Sequence, residues 1–389
     1  MILVVTLIAM VTGSICMNKV SPVLTYIVSD FSIDNSTYSG LLISVFVISG
    51  IILSIPMGIL ITKHGTFKTG FLSLVCIILG SILGAIAGNY ALLIVSRIIE
   101  GVGLMFLATI GPAVVASSFS DESRGTAMGI LMCFMAIGQI IAFNIAPVIA
   151  SSSSWQNFWW VSAVLGIIAL VLWVIFISGS DPNTNSPQET IDNDEDVAAG
   201  TSLKNILTNS GIWLVSLTIF AYTLSHMGVL NYLPTYLTEV AGLSTTTAGS
   251  ITSIAFIVGI PVGIIGGVIA DKCGSRKIVL GLSMVVLAVA FGLLQIFNSS
   301  SYAIFAVIYG VASMAQAGLC FTSVTEVVSV KDSGTASAVL NTAQWSGVFL
   351  STILFGTLLG SFGWGTSFYI MIPIALFGAI TTFINKRLK

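Results

Sequence analysis

The stretch from Phe158 to Ile177 carries no charged side chain over 20 residues, and a helix of about 20 apolar residues is what crosses the hydrocarbon core of a bilayer. Leu41 to Ile61, Ile251 to Ala270 and Ile278 to Phe297 have the same length and character. Strands of a globular core run roughly 3–10 residues, so these segments are too long for strands. Only 7% of the 389 residues are charged, against roughly 25% in a soluble domain. Such a chain cannot clothe a surface in water. Inside lipid every backbone polar group needs an internal partner, which an α-helix supplies within one segment.

Apolar runs separated by short polar turns predict helices near residues 2–28, 38–61, 69–88, 91–118, 125–150 and 157–178. A second set of six follows near 212–238, 246–270, 277–297, 303–328, 335–360 and 366–384. The first run has no basic leader and no small-residue cleavage site, and it includes Lys19, so it reads as a spanning helix and not as a signal peptide. Between the sets, residues 180–210 contain Asp181, Glu189, Asp192, Asp194, Glu195 and Asp196 with a lone Lys204. That composition is a linker. The expected fold is therefore an all-α membrane protein of twelve transmembrane helices in two six-helix bundles, 1–179 and 211–389.

Orientation follows from basic residues, which are held on the cytoplasmic side near helix ends. One set of loops and the C-terminal tail carry Lys63, Lys68, Arg124, Lys204, Lys272, Arg276, Lys277, Lys331, Lys386, Arg387 and Lys389, and the opposite loops carry none. Both termini are expected in the cytoplasm, in a multi-pass protein of a prokaryotic plasma membrane. Trp155, Trp159, Trp160 and Trp364 are then expected at the outer headgroup level.

The halves repeat at an offset of 209 positions: Gly58 onto Gly267, Gly65 onto Gly274, Gly101-Val102 onto Gly310-Val311, and Gly125-Thr126-Ala127 onto Gly334-Thr335-Ala336. Parallel repeats related by an axis along the membrane normal are a transporter architecture.

Between the eighth and ninth predicted helices the chain reads Gly267-Val268-Ile269-Ala270-Asp271-Lys272-Cys273-Gly274-Ser275-Arg276-Lys277. This resembles the signature loop of the major facilitator superfamily, G-x-x-x-D-(R/K)-x-G-x-(R/K)-(R/K). The resemblance implies gating roles for Gly267, Asp271, Lys272, Gly274 and Arg276, with the carboxylate latching against the start of the fifth helix near Gly125 and Thr126. The first-half copy, from Gly58 through Lys63 and Gly65 to Lys68, has Thr62 where the acid is expected. Its glycines and Lys63 keep the turn, and its latch is the weaker one. Arg97-Ile98-Ile99-Glu100-Gly101-Val102-Gly103 is similar to that family's R-x-x-x-G-x-G segment, which the resemblance links to proton coupling. Ala142-Phe143 stands where the family's exporters show Gly-Pro.

Lys19 and Arg97 are the two basic residues that topology does not explain. An ionisable group at membrane depth costs about 2.5–3.5 kcal/mol on insertion scales and faces a cavity or a partner. Two cations favour an anion, most simply a carboxylate. The competing reading pairs Arg97 with Glu100 three residues on. Glu100 is the candidate proton-coupling acid, since burial and a nearby cation shift a carboxyl in opposite directions. Glu326 is expected in a gate network with Lys331 and the Lys272/Arg276 loop. Tyr222 and His226 form a polar stripe on the seventh helix, and Asn341 and Gln344 another on the eleventh; each has the alternative role of interhelical glue.

No phosphate-binding G-x-x-x-x-G-K-(S/T) loop occurs, and the two histidines and five scattered cysteines build no catalytic or metal constellation. A net charge of −2 argues against nucleic acid. The sequence thus predicts a secondary transporter, acting as a monomer without cofactor or metal. Its expected cargo is a small organic anion, coupled to protons or another ion, by alternating access. The alternatives are efflux of hydrophobic or cationic compounds and a non-transporting sensor.

Overall fold

A computed structural model describes residues 1–33, 35–177, 208–297, 301–314, 316–328 and 333–388. The helices in chain order are α1 Ile2–Asn18, α2 Leu24–Asp30, α3 Ser36–Ala85, α4 Tyr90–Ser118, α5 Asp121–Met132, α6 Phe134–Ser152 and α7 Trp155–Ile177. They continue as α8 Ser210–Glu239, α9 Thr245–Cys273, α10 Arg276–Leu293, α11 Tyr302–Met314, α12 Gln316–Val327 and α13 Ser333–Ile384. No strand occurs among the described residues. Nine helical segments among them are long and apolar enough to cross a membrane. The expected linker lies almost wholly outside the described residues.

Two helices are far longer than a bilayer is thick, and each contains one glycine whose backbone is not helical. In α3 this is Gly65 (φ 78°) and in α13 it is Gly363 (φ 73°). The left-handed region is open to glycine at no Cβ cost, so the chain turns there. Gly274, the repeat partner of Gly65, also has a positive φ of 62°.

The lipid-facing surface is legible on α7. Val161, Val164, Ile168, Val171 and Ile175 are exposed at spacings of three and four, while Phe158, Trp159, Ser162, Gly166, Ala169 and Trp173 are buried. Both faces are apolar or small, as a helix between protein and hydrocarbon requires.

The chain divides into two compact units, Met1–Ser186 with Asn231–Ser253, and Pro187–Leu230 with Ile254–Lys389. In the first, α1 packs on α4, α6 and α7, and α3 packs on α4 and α7. In the second, α10 packs on α11 and α13, and Ile219, Leu280, Cys320, Val324 and Leu340 lie in one apolar core.

The 209-residue repeat reappears as packing inside each unit. A methyl group built on Gly101 of α4 would overlap the Phe46 carbonyl of α3, and one built on Gly310 of α11 would overlap the Ala255 carbonyl of α9. Phe46 and Ala255 are themselves separated by the same offset of 209. The same close helix crossing is thus built twice, at glycines with no side chain to hold the backbones apart.

Candidate functional site

The site of the first unit begins with a proline. Pro22 lacks the N–H that would continue α1 and its ring clashes with the preceding turn, and the chain passes into a short 3-10 turn, Ser21–Val23. The last carbonyls of α1 then lack intrahelical partners and carry the negative end of the helix dipole. Arg97 of α4 answers both needs: one terminal nitrogen donates to the Cys16 carbonyl at 2.5 Å and the other to the Met17 carbonyl at 2.9 Å.

Glu100, one turn along α4, draws the second cation in. Its Oε2 accepts from Arg97 at 2.6 Å and its Oε1 accepts from Lys19 Nζ at 2.6 Å and from Ser81 Oγ at 2.7 Å. Lys19 also donates to Ser81 at 3.4 Å. Lys19, Arg97 and Glu100 are each 0% exposed. With Lys19 as the ammonium, two cations share one carboxylate, and the group carries one net positive charge in a medium of low dielectric. Arg97 Nε is buried, with no hydrogen-bond partner among the described residues.

Aromatic faces complete the enclosure: Lys19 Nζ lies 4.4 Å from the Trp159 ring centroid, and the Arg97 guanidinium 4.6 Å from that of Phe46. Such cation–π contacts compensate part of the lost hydration. Trp155 and Trp159 are both buried, 3% and 0% exposed. Trp159 faces Lys19, and Trp155 stacks edge-on against Trp159 at 4.9 Å. Trp160 does point outward, at 44% exposure.

A second polar cluster lies in the second unit. His226 of α8 is fully buried, with Tyr222 stacked on one side at 5.0 Å and Tyr309 of α11 at 5.2 Å. The Tyr309 hydroxyl is 2.7 Å from His226 Nδ1 and 2.9 Å from the His226 carbonyl. Tyr222 donates to the Ser313 carbonyl at 2.8 Å. Among the described residues His226 Nε2 has no hydrogen-bond partner.

Lys19, Arg97 and Glu100 are thus brought together, and Tyr222 and His226 are joined by Tyr309, which the sequence reading missed. One phenol in an apolar helix gives no periodic signal. The repeat offset was the available clue, because Glu100 and Tyr309 are 209 positions apart. Asn341 and Gln344 lie half-buried on α13, and among the described residues neither hydrogen-bonds to either cluster. Arg276 pairs with Glu326 at 3.1 Å and donates to the Thr322 carbonyl at 3.0 Å. Lys272 and Gly274 are exposed at the end of α9. Gly58 and Gly267 lie within helices; the side chains of Lys63 and Asp271, and all of Lys331, lie outside the described parts.

Three comparisons bear on this arrangement. The family model described as Major Facilitator Superfamily matches residues 2–272 and 242–388. Among curated relatives, a hexuronate transporter of Bacillus subtilis is 29% identical over 262 residues, which is 65% of this chain and 61% of the relative. A probable nitrate transporter of Staphylococcus haemolyticus is 26% identical over 377 residues, covering 96% and 92%. Among solved structures, a bacterial homolog of the human lysosomal transporter Spinster superposes with a TM-score of 0.83 at 15% identity, covering 100% of this chain and 96% of its own. The family model spans nearly the whole chain, and the apolar helices are those of a multi-pass protein of the cytoplasmic membrane; the chain belongs to the Major Facilitator Superfamily of membrane transporters, and it is not an enzyme.

Proposed function

We propose that this chain is a proton-coupled carrier of a small organic anion, working by alternating access through twelve spans with both termini in the cytoplasm. The observation that carries the reading is the buried Lys19–Glu100–Arg97 group with its surplus positive charge. Glu100 occupies the place a substrate carboxylate would take. When Glu100 binds a proton, two cations lose their counterion in a medium where an unpaired charge is costly. A carboxylate from solution restores the balance, and the Arg fork can hold it through two donors. When the anion leaves, Glu100 releases its proton and closes on the cations again. Proton and anion are thereby bound together or not at all.

The named cargoes of two relatives, hexuronate and nitrate, are both anions, which supports the charge class. Alternating access is supported by the packing of residues 231–253 within the first unit. Ser21 donates to the Asn231 carbonyl, Tyr232 to the Ser36 carbonyl at 3.0 Å, and Ser250 to Asn144 at 2.9 Å, while Tyr26 and Thr245 share a bond of 3.1 Å. The end of α8 and the start of α9 thus pack against the helices of the unit that holds the charged group. The halves of the charge pattern meet this picture, since the unexplained cations are those at the proposed site.

The test is uptake of labelled D-glucuronate, nitrate and a panel of monocarboxylates into proteoliposomes under imposed pH gradients of both signs. Accumulation of any of these against its gradient, abolished by a protonophore, is the expected result. Transport confined to hydrophobic or cationic dyes and dependent on Glu100 would instead assign the chain to efflux.

A further inference from the structure

A line of side-chain contacts reaches the charged group of the first unit from the end of α2. Asp30, the last residue of α2, is exposed. Its Oδ2 accepts from Trp155 Nε1 at 3.0 Å and from Gln156 Nε2 at 3.2 Å. An ionised acceptor makes such bonds stronger than a neutral one would. Phe31 meets the Trp155 ring edge-on at 5.8 Å. Trp155 in turn meets Trp159 at 4.9 Å, and the Trp159 ring lies 4.4 Å from Lys19 Nζ. The contacts thus run without a gap from an exposed carboxylate to a fully buried ammonium, 11 positions away in the chain.

Two observations make Trp155 the adjustable member of this line. Among the described residues Trp159 Nε1 has no hydrogen-bond partner, so the Trp159 ring is not fixed through its own N–H. One of its edges rests on Gly84, where a methyl group would overlap Cδ1 and Nε1, and Trp155 braces it by ring contact. Trp155 itself borders a cavity of about 300 Å³ whose lining includes Asp30, Tyr26 and Ser153. Without an acceptor at Asp30, the buried indole N–H loses its partner, and the ring has room beside it in which to turn and find another.

The repeat isolates what is particular to the first unit. At the same offset of 209, Asp30, Trp155 and Trp159 correspond to Glu239, Trp364 and Phe368, while Gly228 stands where Lys19 does. Trp364 and Phe368 are stacked, with 22° between their planes, whereas Trp155 and Trp159 meet at 79°. The second indole and the edge-on arrangement occur in the half that has a cation to cover.

We infer that Asp30 is a positioning residue of the charged group: its carboxyl oxygen holds Trp155, Trp155 holds Trp159, and the face of Trp159 holds Lys19 beside Glu100. The consequence for transport rests on the anion-carrier reading, because Lys19 is there one of the two cations that take the cargo. A Lys19 deprived of its aromatic cover is less well placed and grips an anion more weakly.

Glucuronate and nitrate uptake by the unmutated protein is scored first and tests the carrier reading by itself. Fluorine NMR of protein labelled with 5-fluorotryptophan then tests the positioning without any anion, with the Trp159 signal assigned by Trp159→Phe. Lys19→Met should move that signal by taking the cation from the ring face. Asp30→Ala, which does not touch Trp159, should move it as well, and Asp30→Asn, whose amide oxygen still accepts the indole N–H, should leave it in place. For the carried anion, Asp30→Ala should raise KM several-fold with little change in kcat, and Asp30→Asn should restore it. Trp155→Phe, which keeps a ring but has no N–H to give, should raise KM alike and add nothing to Asp30→Ala. Should neither anion be taken up, the carrier reading fails alone and the fluorine signals still decide the positioning. A Trp159 signal unmoved in Asp30→Ala, or an Asp30→Asn protein that matches Asp30→Ala, would overturn the inference.

Discussion

Lys19 Nζ sits 2.6 Å from Glu100 Oε1, with both side chains fully buried and 81 positions between them in the chain. Because Arg97 holds the other oxygen of the same carboxylate, the three side chains form one electrostatic unit and not two independent pairs. Removing different members should therefore have unequal effects, and the order is predictable.

Glu100→Gln leaves two buried cations side by side without a carboxylate, whereas Lys19→Met leaves the neutral Arg97–Glu100 pair intact and keeps the side-chain volume. Breaking a buried ion pair by removing one partner costs about 3–5 kcal/mol. Thermal unfolding in detergent should show Glu100→Gln several degrees below Lys19→Met. The reverse order would contradict the surplus positive charge.

Tyr232→Phe deletes the bond to the Ser36 carbonyl, and Gly249→Ala places a methyl against the Phe143 carbonyl. Both loosen the contact of residues 231–253 with the first unit. A cysteine introduced at Ser21, buried beside Asn231, should react several-fold faster with an impermeant maleimide in either background. Equal labelling rates would show that these contacts do not control access.

Gly101→Ala and Gly310→Ala test whether the repeated close crossing is required. Overpacking of this kind costs about 1–3 kcal/mol. Both variants should lose folded yield on size exclusion. Gly129, by contrast, has open space at its Cβ position, so Gly129→Ala serves as the control and should behave like the unmutated chain.

The Arg276–Glu326 pair is 24% and 21% exposed, and partly solvated pairs contribute about 0–1 kcal/mol. Glu326→Gln should accordingly change the melting temperature by only a degree or two, with its effect on transport larger than its effect on stability. A large loss of stability would make this pair a structural clamp and not a gate element.

Hydrophobic length and glycine position are local properties, and for that reason the helices and the 209-residue repeat were readable from the sequence. The turns at Gly65 and Gly363 fall where the reading placed breaks between helices. What was not readable depends on contacts across the fold. Lys19 had no acid within a turn, and its partner arrived from α4. Nothing local to Trp159 shows that its ring faces Lys19. Tyr309 carries no charge and no periodic mark. Residues 231–253 continue α8 and α9 in sequence but pack with the first unit, a choice made by side chains such as Tyr232 and Thr245 that hydropathy cannot rank.

The central claim is that Lys19 and Arg97 are released by Glu100 to an anion, and it is tested most directly by transport through folded variants. Labelled glucuronate or nitrate uptake driven by a pH gradient should fall at least tenfold in Lys19→Ala and Arg97→Ala proteins that elute as folded monodisperse peaks. Uptake by folded Arg97→Ala at the unmutated rate would contradict the account.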